Sequence, residues 1–128
     1  MKISIIVTNW NGLKLLKKNF QRVIDTSQDA DEIIFTDDAS SDKSVSYIKS
    51  LQKRFSKIKI IAHKKNVGFG KNSNYAVSKA KGDLVVLLNN DIYPHDNYIK
   101  NSLKHFKDKD VFGVGFAETG NENWSTIY

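Results

Sequence analysis

The sequence has no cysteine, which excludes disulfides, thiolate nucleophiles and cysteine-ligated metal sites, and leaves oxygen or histidine donors for any bound ion. Long apolar runs are missing too. Ile58 to Ala62, with Lys59 inside, and Leu84 to Leu88 are strand-sized and far short of a bilayer span. There is no phosphate loop ending in Gly-Lys-Ser or Gly-Lys-Thr, and no three-glycine dinucleotide fingerprint. Met1-Lys2-Ile3-Ser4-Ile5 runs straight into a strand-like segment without the apolar stretch and cleavage site of a secretory signal, so the expected location is the cytoplasm.

The remaining composition is that of a soluble domain. At 128 residues, 40% hydrophobic and 27% charged, the chain can bury roughly two-thirds of its unfolded surface around one core. A net charge of +6 attracts polyanions in principle. Yet Lys100, Lys104 and Lys107 recur at helical spacing opposite Ile99, Leu103 and Phe106, the pattern of a solvated helix face. No nucleic-acid partner is expected, and peripheral contact with an anionic membrane surface stays open.

Apolar periodicity alternates between strand and helix. Ile3 to Val7 reads as a strand, and Leu13, Leu16, Phe20, Val23 and Ile24 as one helix face. Glu32 to Thr36 is a second strand, followed by Val45, Ile48, Leu51 and Phe55 on a helix entered through the cap-like Ser40-Ser41-Asp42. A third strand is expected at Ile58 to Ala62, a helix at Lys71 to Lys81 closed by Gly82, and a fully buried fourth strand at Leu84 to Leu88. Pro94 and Asp96 start a fourth helix, and Val111 to Phe116 supplies a fifth strand. The fold class is α/β: a mostly parallel sheet with helices on both faces, whose ligands bind beyond the carboxyl ends of the strands.

At those ends stand Thr8-Asn9-Trp10-Asn11-Gly12, Asp37-Asp38-Ala39-Ser40-Ser41-Asp42 and Asn89-Asn90-Asp91. Ser40, Ser41, Asp42 and Gly12 suit helix caps and turns as well as a site. Asp37 and Asp38 are adjacent carboxylates leaving an apolar strand; they repel each other and call for a donor or a cation. Asp91 follows the most hydrophobic strand, where a carboxylate is costly unless hydrogen-bonded, paired or metal-bound. Magnesium or manganese suits it, since one or two carboxylates plus substrate phosphates commonly hold Mg²⁺. Lys64 to Asn74, with Gly68 and Gly70, reads as a phosphate loop leading into a helix. His63, His95 and His105 lack metal-ligand spacing, and Trp10 reads as packing rather than base stacking.

Taken in order, Ile5-Ile6-Val7-Thr8-Asn9-Trp10-Asn11, Thr36 to Asp42, Asn66-Val67-Gly68-Phe69 with Asn74, and Gly82-Asp83 leading to Leu88-Asn89-Asn90-Asp91 resemble family 2 glycosyltransferases of the GT-A fold over nearly the whole chain. The resemblance implies a Rossmann-like GT-A half that binds a nucleoside diphosphate sugar of UDP or dTDP type with Mg²⁺ or Mn²⁺. Transfer would go to an acceptor hydroxyl on a glycan or lipid-linked acceptor, with inversion. Thr8 and Asn11 would line the nucleotide pocket, Asp38 would accept a hydrogen bond from the base, and Asn90 would lie near the ribose. Asp91 would bind the metal, and Lys71 or Asn74 would approach the diphosphate.

The family's Asp-X-Asp motif here reads Asn89-Asn90-Asp91. With the first acidic position lost, the diphosphate is expected to complete the metal site. The resemblance places the acceptor site and the catalytic base in a following segment, so no residue is assigned as catalytic base. Residues 1–117 are read as the nucleotide-sugar-binding domain, and 118–128 as a polar segment leading into the acceptor-binding part. Two alternatives are a catalytically silent nucleotide-binding module and a nucleotidyltransferase. Against the latter, no glycine-rich loop ending in arginine follows the first strand.

Overall fold

β-branched and aliphatic side chains at nearly every position of the first two strand-like runs suit strands covered on both faces. The computed structural model, which describes residues 1–117, builds them so: every residue of β1 (Ile3–Asn9) and β2 (Glu32–Asp37) is buried. With β3 (Ile58–Ala62) and β4 (Leu84–Asn89) they form a four-stranded sheet in the order β3-β2-β1-β4, all pairs parallel. The strand order reverses beside β1, and register aligns Thr8 with both Thr36 and Asn89.

Alternation along the strands sorts the helices. Ile6 and Ile34 face one way and pack with Ala76 of α3 (Phe69–Lys79). Phe35 faces the other way and meets the edge of Phe20 from α1 (Leu13–Thr26), with ring centroids 6.1 Å apart. The apolar stripe Leu16, Phe20, Val23 and Ile24 of α1 is buried, while Lys14, Lys17 and Lys18 stay in solvent. The helix α2 (Ser44–Gln52) packs beside α1 and β3. Helices thus cover both faces of the sheet, as expected.

Several expectations change. The strand β4 is not fully buried: Val86 and Leu88 point inward, but Leu87 is 56% exposed. Among the described residues β4 has β1 on one side only, and an edge strand cannot hide its outer row. The helix expected at Lys71 to Lys81 runs from Phe69 to Lys79. Gly82 lies beyond its end, and a Cβ there would meet the Ser4 nitrogen at 2.5 Å, so Gly82 permits close backbone approach and does not cap the helix.

Residues up to Asp96 form one compact unit, and the described residues from Asn97 on belong to a second. In the second unit Asn97 adopts φ 61°, and only then does a short α4 (Tyr98–Leu103) begin, passing into a 3-10 turn at Lys104–Lys107. The expected fifth strand is absent among the described residues: 111–117 is irregular and Phe112 fully exposed. Gly113 and Gly115 interrupt the run, and glycine loses most entropy when held in a strand. The polar segment 118–128 lies outside the described residues.

Candidate functional site

β1, β2 and β4 all end at one edge of the sheet, and their parallel course brings the three polar clusters together there. They enclose a cleft of about 560 Å³ on the first unit, walled by Thr8, Trp10, Asp38, Asn90 and Asp91, with Asn66, Gly68, Phe69 and Asn72 from the loop and start of α3. A small-ligand site is expected at such a switch point.

The hub is Asn9. Its side-chain amide donates to Asp37 Oδ1 at 2.8 Å, and its Oδ1 accepts the Asn90 side-chain N–H at 2.8 Å. One amide thus ties β2 and β4 to β1 by using both its donor and its acceptor. Gly12 allows this: a Cβ there would sit 2.2 Å from Asn90 Nδ2 and 2.4 Å from Asn9 Oδ1. Asn90 is further held by Asn19 of α1, whose Nδ2 donates to the Asn90 carbonyl at 3.1 Å.

The carboxylate pair finds its donors within the protein. Asp37 accepts from Asn9, from the Ser40 hydroxyl at 2.6 Å and from the Ser40 N–H at 2.8 Å. Asp38 accepts the Val67 N–H on Oδ1 at 2.7 Å and the Gly68 N–H on Oδ2 at 2.9 Å, while its carbonyl accepts Asn66 Nδ2. Gly68 has φ 89°, a conformation that suits glycine, and the Asp38 clamp holds the loop there. The Asp37–Asp38 pair therefore needs no cation to be buried. Both carboxylates keep further acceptor directions.

Asp42 links two helix starts. Its oxygens accept the Leu13 N–H of α1 at 3.0 Å and the Ser44 N–H of α2 at 2.9 Å. Burial pushes its pKa up, but these hydrogen bonds and the Ser44 side chain outweigh that and hold it below the usual carboxylate range. The turn reading of Asp42 is thereby borne out, whereas the N-cap positions of α1 and α2 fall to Gly12 and Lys43.

Thr8, Asp38, Asn90 and Asp91 are brought together on the cleft, and Asn11, Lys71 and Asn74 stand outside its lining. Asn11 (φ 49°) turns its Oδ1 toward the Ser41 N–H at 2.8 Å and staples the first two loops. Lys71 and Asn74 are exposed on the first turns of α3. Asp91 is exposed in the turn closed by the Ile92 N–H to the Asn89 carbonyl, so the burial cost expected after an apolar strand does not arise. Trp10 is 61% exposed and walls the cleft, which overturns its reading as packing. Asn9 and Phe69 stand in the sequence motifs without an assigned role, and Asn19 and Asn72 were not singled out. Asn19 was readable as the polar break in the α1 stripe; Asn72, which accepts the Thr36 hydroxyl at 2.5 Å, gave no local signal.

Among the described residues no group of three histidines or carboxylates could cage a metal ion. The exposed Asp91 with the neighbouring Asn89 and Asn90 is instead an all-oxygen, single-carboxylate donor set. It fits a hard cation whose remaining ligands come from phosphate or water. Among the described residues no helix is long and apolar enough to cross a membrane.

The sequence model described as Glycosyl transferase family 2 matches residues 4–127. The chain belongs to this family. It is 32% identical over 115 residues to an uncharacterized glycosyltransferase of Nostoc sp., covering 89% of this chain and 35% of that protein. It is 33% identical over 91 residues to the GalNAc(5)-diNAcBac-PP-undecaprenol beta-1,3-glucosyltransferase of Campylobacter jejuni, covering 70% of this chain and 29% of that one. The chain therefore spans about a third of the length of these curated relatives. The mannosyltransferase PcManGT of Pyrobaculum calidifontis, solved with GDP-Man and Mn²⁺, superimposes with a TM-score of 0.75 at 19% identity, covering 84% of this chain and 32% of that one. For S. aureus TarS 1-349 with UDP-GlcNAc the TM-score is 0.73 at 22% identity, covering 92% of this chain and 37% of that one. At such identities the likeness establishes the fold alone, the GT-A fold, for this family 2 chain.

Proposed function

We propose that residues 1–117 are the donor-binding domain of a glycosyltransferase that takes a nucleoside diphosphate sugar, of UDP or dTDP type, with Mg²⁺ or Mn²⁺. The sugar passes to an acceptor hydroxyl on a glycan or lipid-linked acceptor, with inversion, and residues 118–128 lead into the acceptor-binding part. The carrying observation is that Thr8, Asp38 and the adjacent pair Asn90 and Asp91, from three segments far apart in sequence, converge on one cleft at the carboxyl edge of the parallel sheet. The GDP-Man and Mn²⁺ bound by PcManGT, the UDP-GlcNAc bound by TarS and the undecaprenol-linked acceptor in the Campylobacter relative's name support the chemistry. Lipid-linked acceptors also accord with a cytoplasmic protein touching the membrane peripherally.

In this reading Asp38 and Thr8 hold the base side of the nucleotide, and Trp10 lends an aromatic face to it. Asp38 does so while clamping the loop, because a carboxylate oxygen can accept two hydrogen bonds. Asn90, fixed by Asn9 and Asn19, lies toward the ribose, with Asn11 stapling the pocket's outer loop. Asp91 is the protein's ligand to the metal, which when bound neutralises charge on the leaving diphosphate. Lys71 and Asn74 act from the rim on the same phosphates. None of these residues is assigned the acceptor proton; that base belongs to the acceptor-binding part.

Titrating Mn²⁺ into the chain with and without UDP tests the reading. Metal affinity should rise when the diphosphate is present, and UDP should shift the NMR signals of the Val67 and Gly68 amides. Equal affinities together with silent amides would overturn it. Release of sugar from a donor by this chain would separate an enzyme domain from a silent nucleotide-binding module.

A further inference from the structure

The turn that carries Asp91 is tethered from behind. On α1, Asn19 and Arg22 are three residues apart and so share a helix face. Asn19 Nδ2 donates to the Asn90 carbonyl at 3.1 Å, just before Asp91. Arg22 Nε donates to the Pro94 carbonyl at 2.8 Å, three residues after Asp91, and Arg22 Nη2 lies 3.0 Å from Asp96 Oδ1. The guanidinium also sits over the Tyr93 ring, 5.3 Å from its centroid. The segment from Asn90 to Asp96 is thereby held on both sides of an exposed carboxylate that has no ion-pair partner among the described residues.

From this geometry we infer that Asn19 and Arg22 are positioning residues for Asp91, and that they set its readiness to receive a divalent cation without touching nucleotide or metal. The inference rests on the assignment of Asp91 as metal ligand. Asn19 is 3% exposed on an otherwise apolar stripe, where a buried amide is costly unless it gains a partner. Arg22 makes a fork of contacts that a lysine cannot copy, because its planar head can serve the Pro94 carbonyl and the Asp96 carboxylate together. Outer partners that fix a ligand's orientation commonly change metal affinity by about ten- to a hundredfold when they are removed.

The test uses this chain with Asn19→Ala, Arg22→Ala, Arg22→Lys and Asp91→Asn, and Mn²⁺ and UDP as probes. Electron paramagnetic resonance reads free Mn²⁺ at saturating UDP, metal-free UDP binding is measured alongside, and amide exchange at Ile92 reads the turn without metal. Arg22→Ala should weaken Mn²⁺ binding about tenfold, with Arg22→Lys recovering part of the loss, metal-free UDP affinity unchanged and Ile92 exchanging faster. If Asp91→Asn lowers Mn²⁺ affinity but Arg22→Ala does not, the positioning role is overturned while the Asp91 assignment stands. If Asp91→Asn itself changes nothing, the assignment falls and the inference with it. Should Asn19→Ala fail to fold, the two Arg22 variants decide alone, since the Arg22 side chain is 24% exposed and tolerates replacement more readily.

Discussion

The strand β2 begins with one buried carboxylate, Glu32, and ends on another, Asp37, with Asp38 directly after it, and the two ends handle them differently. Glu32, 3% exposed, receives the Ser4 hydroxyl at 2.6 Å, the Lys81 N–H at 2.7 Å and a salt bridge from Lys59. Asp37 and Asp38, at 1% and 3%, are as deeply buried, yet every donor that reaches them is neutral. Asp91 beside them forms no salt bridge among the described residues. A buried carboxylate paired with a cation has its outward field largely cancelled, and removing either partner leaves an uncompensated buried charge. Carboxylates held by neutral donors keep their negative field, and that field is what a hydrogen-bond-donating base or a metal-diphosphate complex would meet.

The largest effect should come from breaking the saturated end. Burial pushes the Glu32 pKa up, but the hydrogen bonds from Lys59, Ser4 and Lys81 and the Lys59 charge more than reverse this, leaving it lowered to about 2. Because the folded value is depressed, the stabilisation is present above the unfolded value near 4.5 and is lost as pH falls toward about 2. Its full size is about 3 kcal/mol. Glu32→Gln should lose most of that in urea unfolding at pH 7, and its stability should fall less steeply than the wild type's as pH drops through this window. Parallel curves for the two proteins would mean Glu32 is not the acid-sensitive anchor of this end.

At the other end, Asp38→Asn should cost less, about 1–3 kcal/mol, because an amide can satisfy only one of the Val67 and Gly68 donors. Hydrogen exchange localised to those two amides, with loss of UDP binding by calorimetry, is the expected signature. Asp91→Asn sharpens the contrast between the ends. An exposed, unpaired residue should change stability by no more than about 0.5 kcal/mol, while UDP-dependent Mn²⁺ affinity drops at least tenfold, about 1.4 kcal/mol. Smallest of all is Lys71→Ala. From the rim it should weaken UDP binding by a factor of about two to five, an effect that fades above about 0.5 M salt as screening shortens the reach of its charge.

Much of the fold was readable from local pattern. The four strands found lie where apolar runs predicted them, and α1 to α3 lie on the expected stripes with shifted ends, because periodicity reflects which face must be buried. Val111 to Phe116 failed for a reason the pattern does not carry: a strand needs a neighbour to bond, and apolar alternation with two glycines does not supply one. Leu87 was misread likewise, since whether a strand is central or at the edge is a property of the sheet.

The candidate site divides along the same line. Its location followed from sequence, because alternating strands and helices force a parallel sheet and put all polar strand ends on one side. Which partner each side chain takes did not. Asn9 reaches Asp37 across 28 residues and receives Asn90 across 81, and Asp38 closes on amides 29 and 30 residues away. Sequence alone determined that acidic and amide side chains would gather at one sheet edge. Only the tertiary structure decided that Asp37 and Asp38 are occupied by internal neutral donors, that Trp10 faces the cleft and that Asp91 stands open on a turn tied to α1. Such pairings depend on register and loop closure between distant segments, which no window of neighbouring residues encodes.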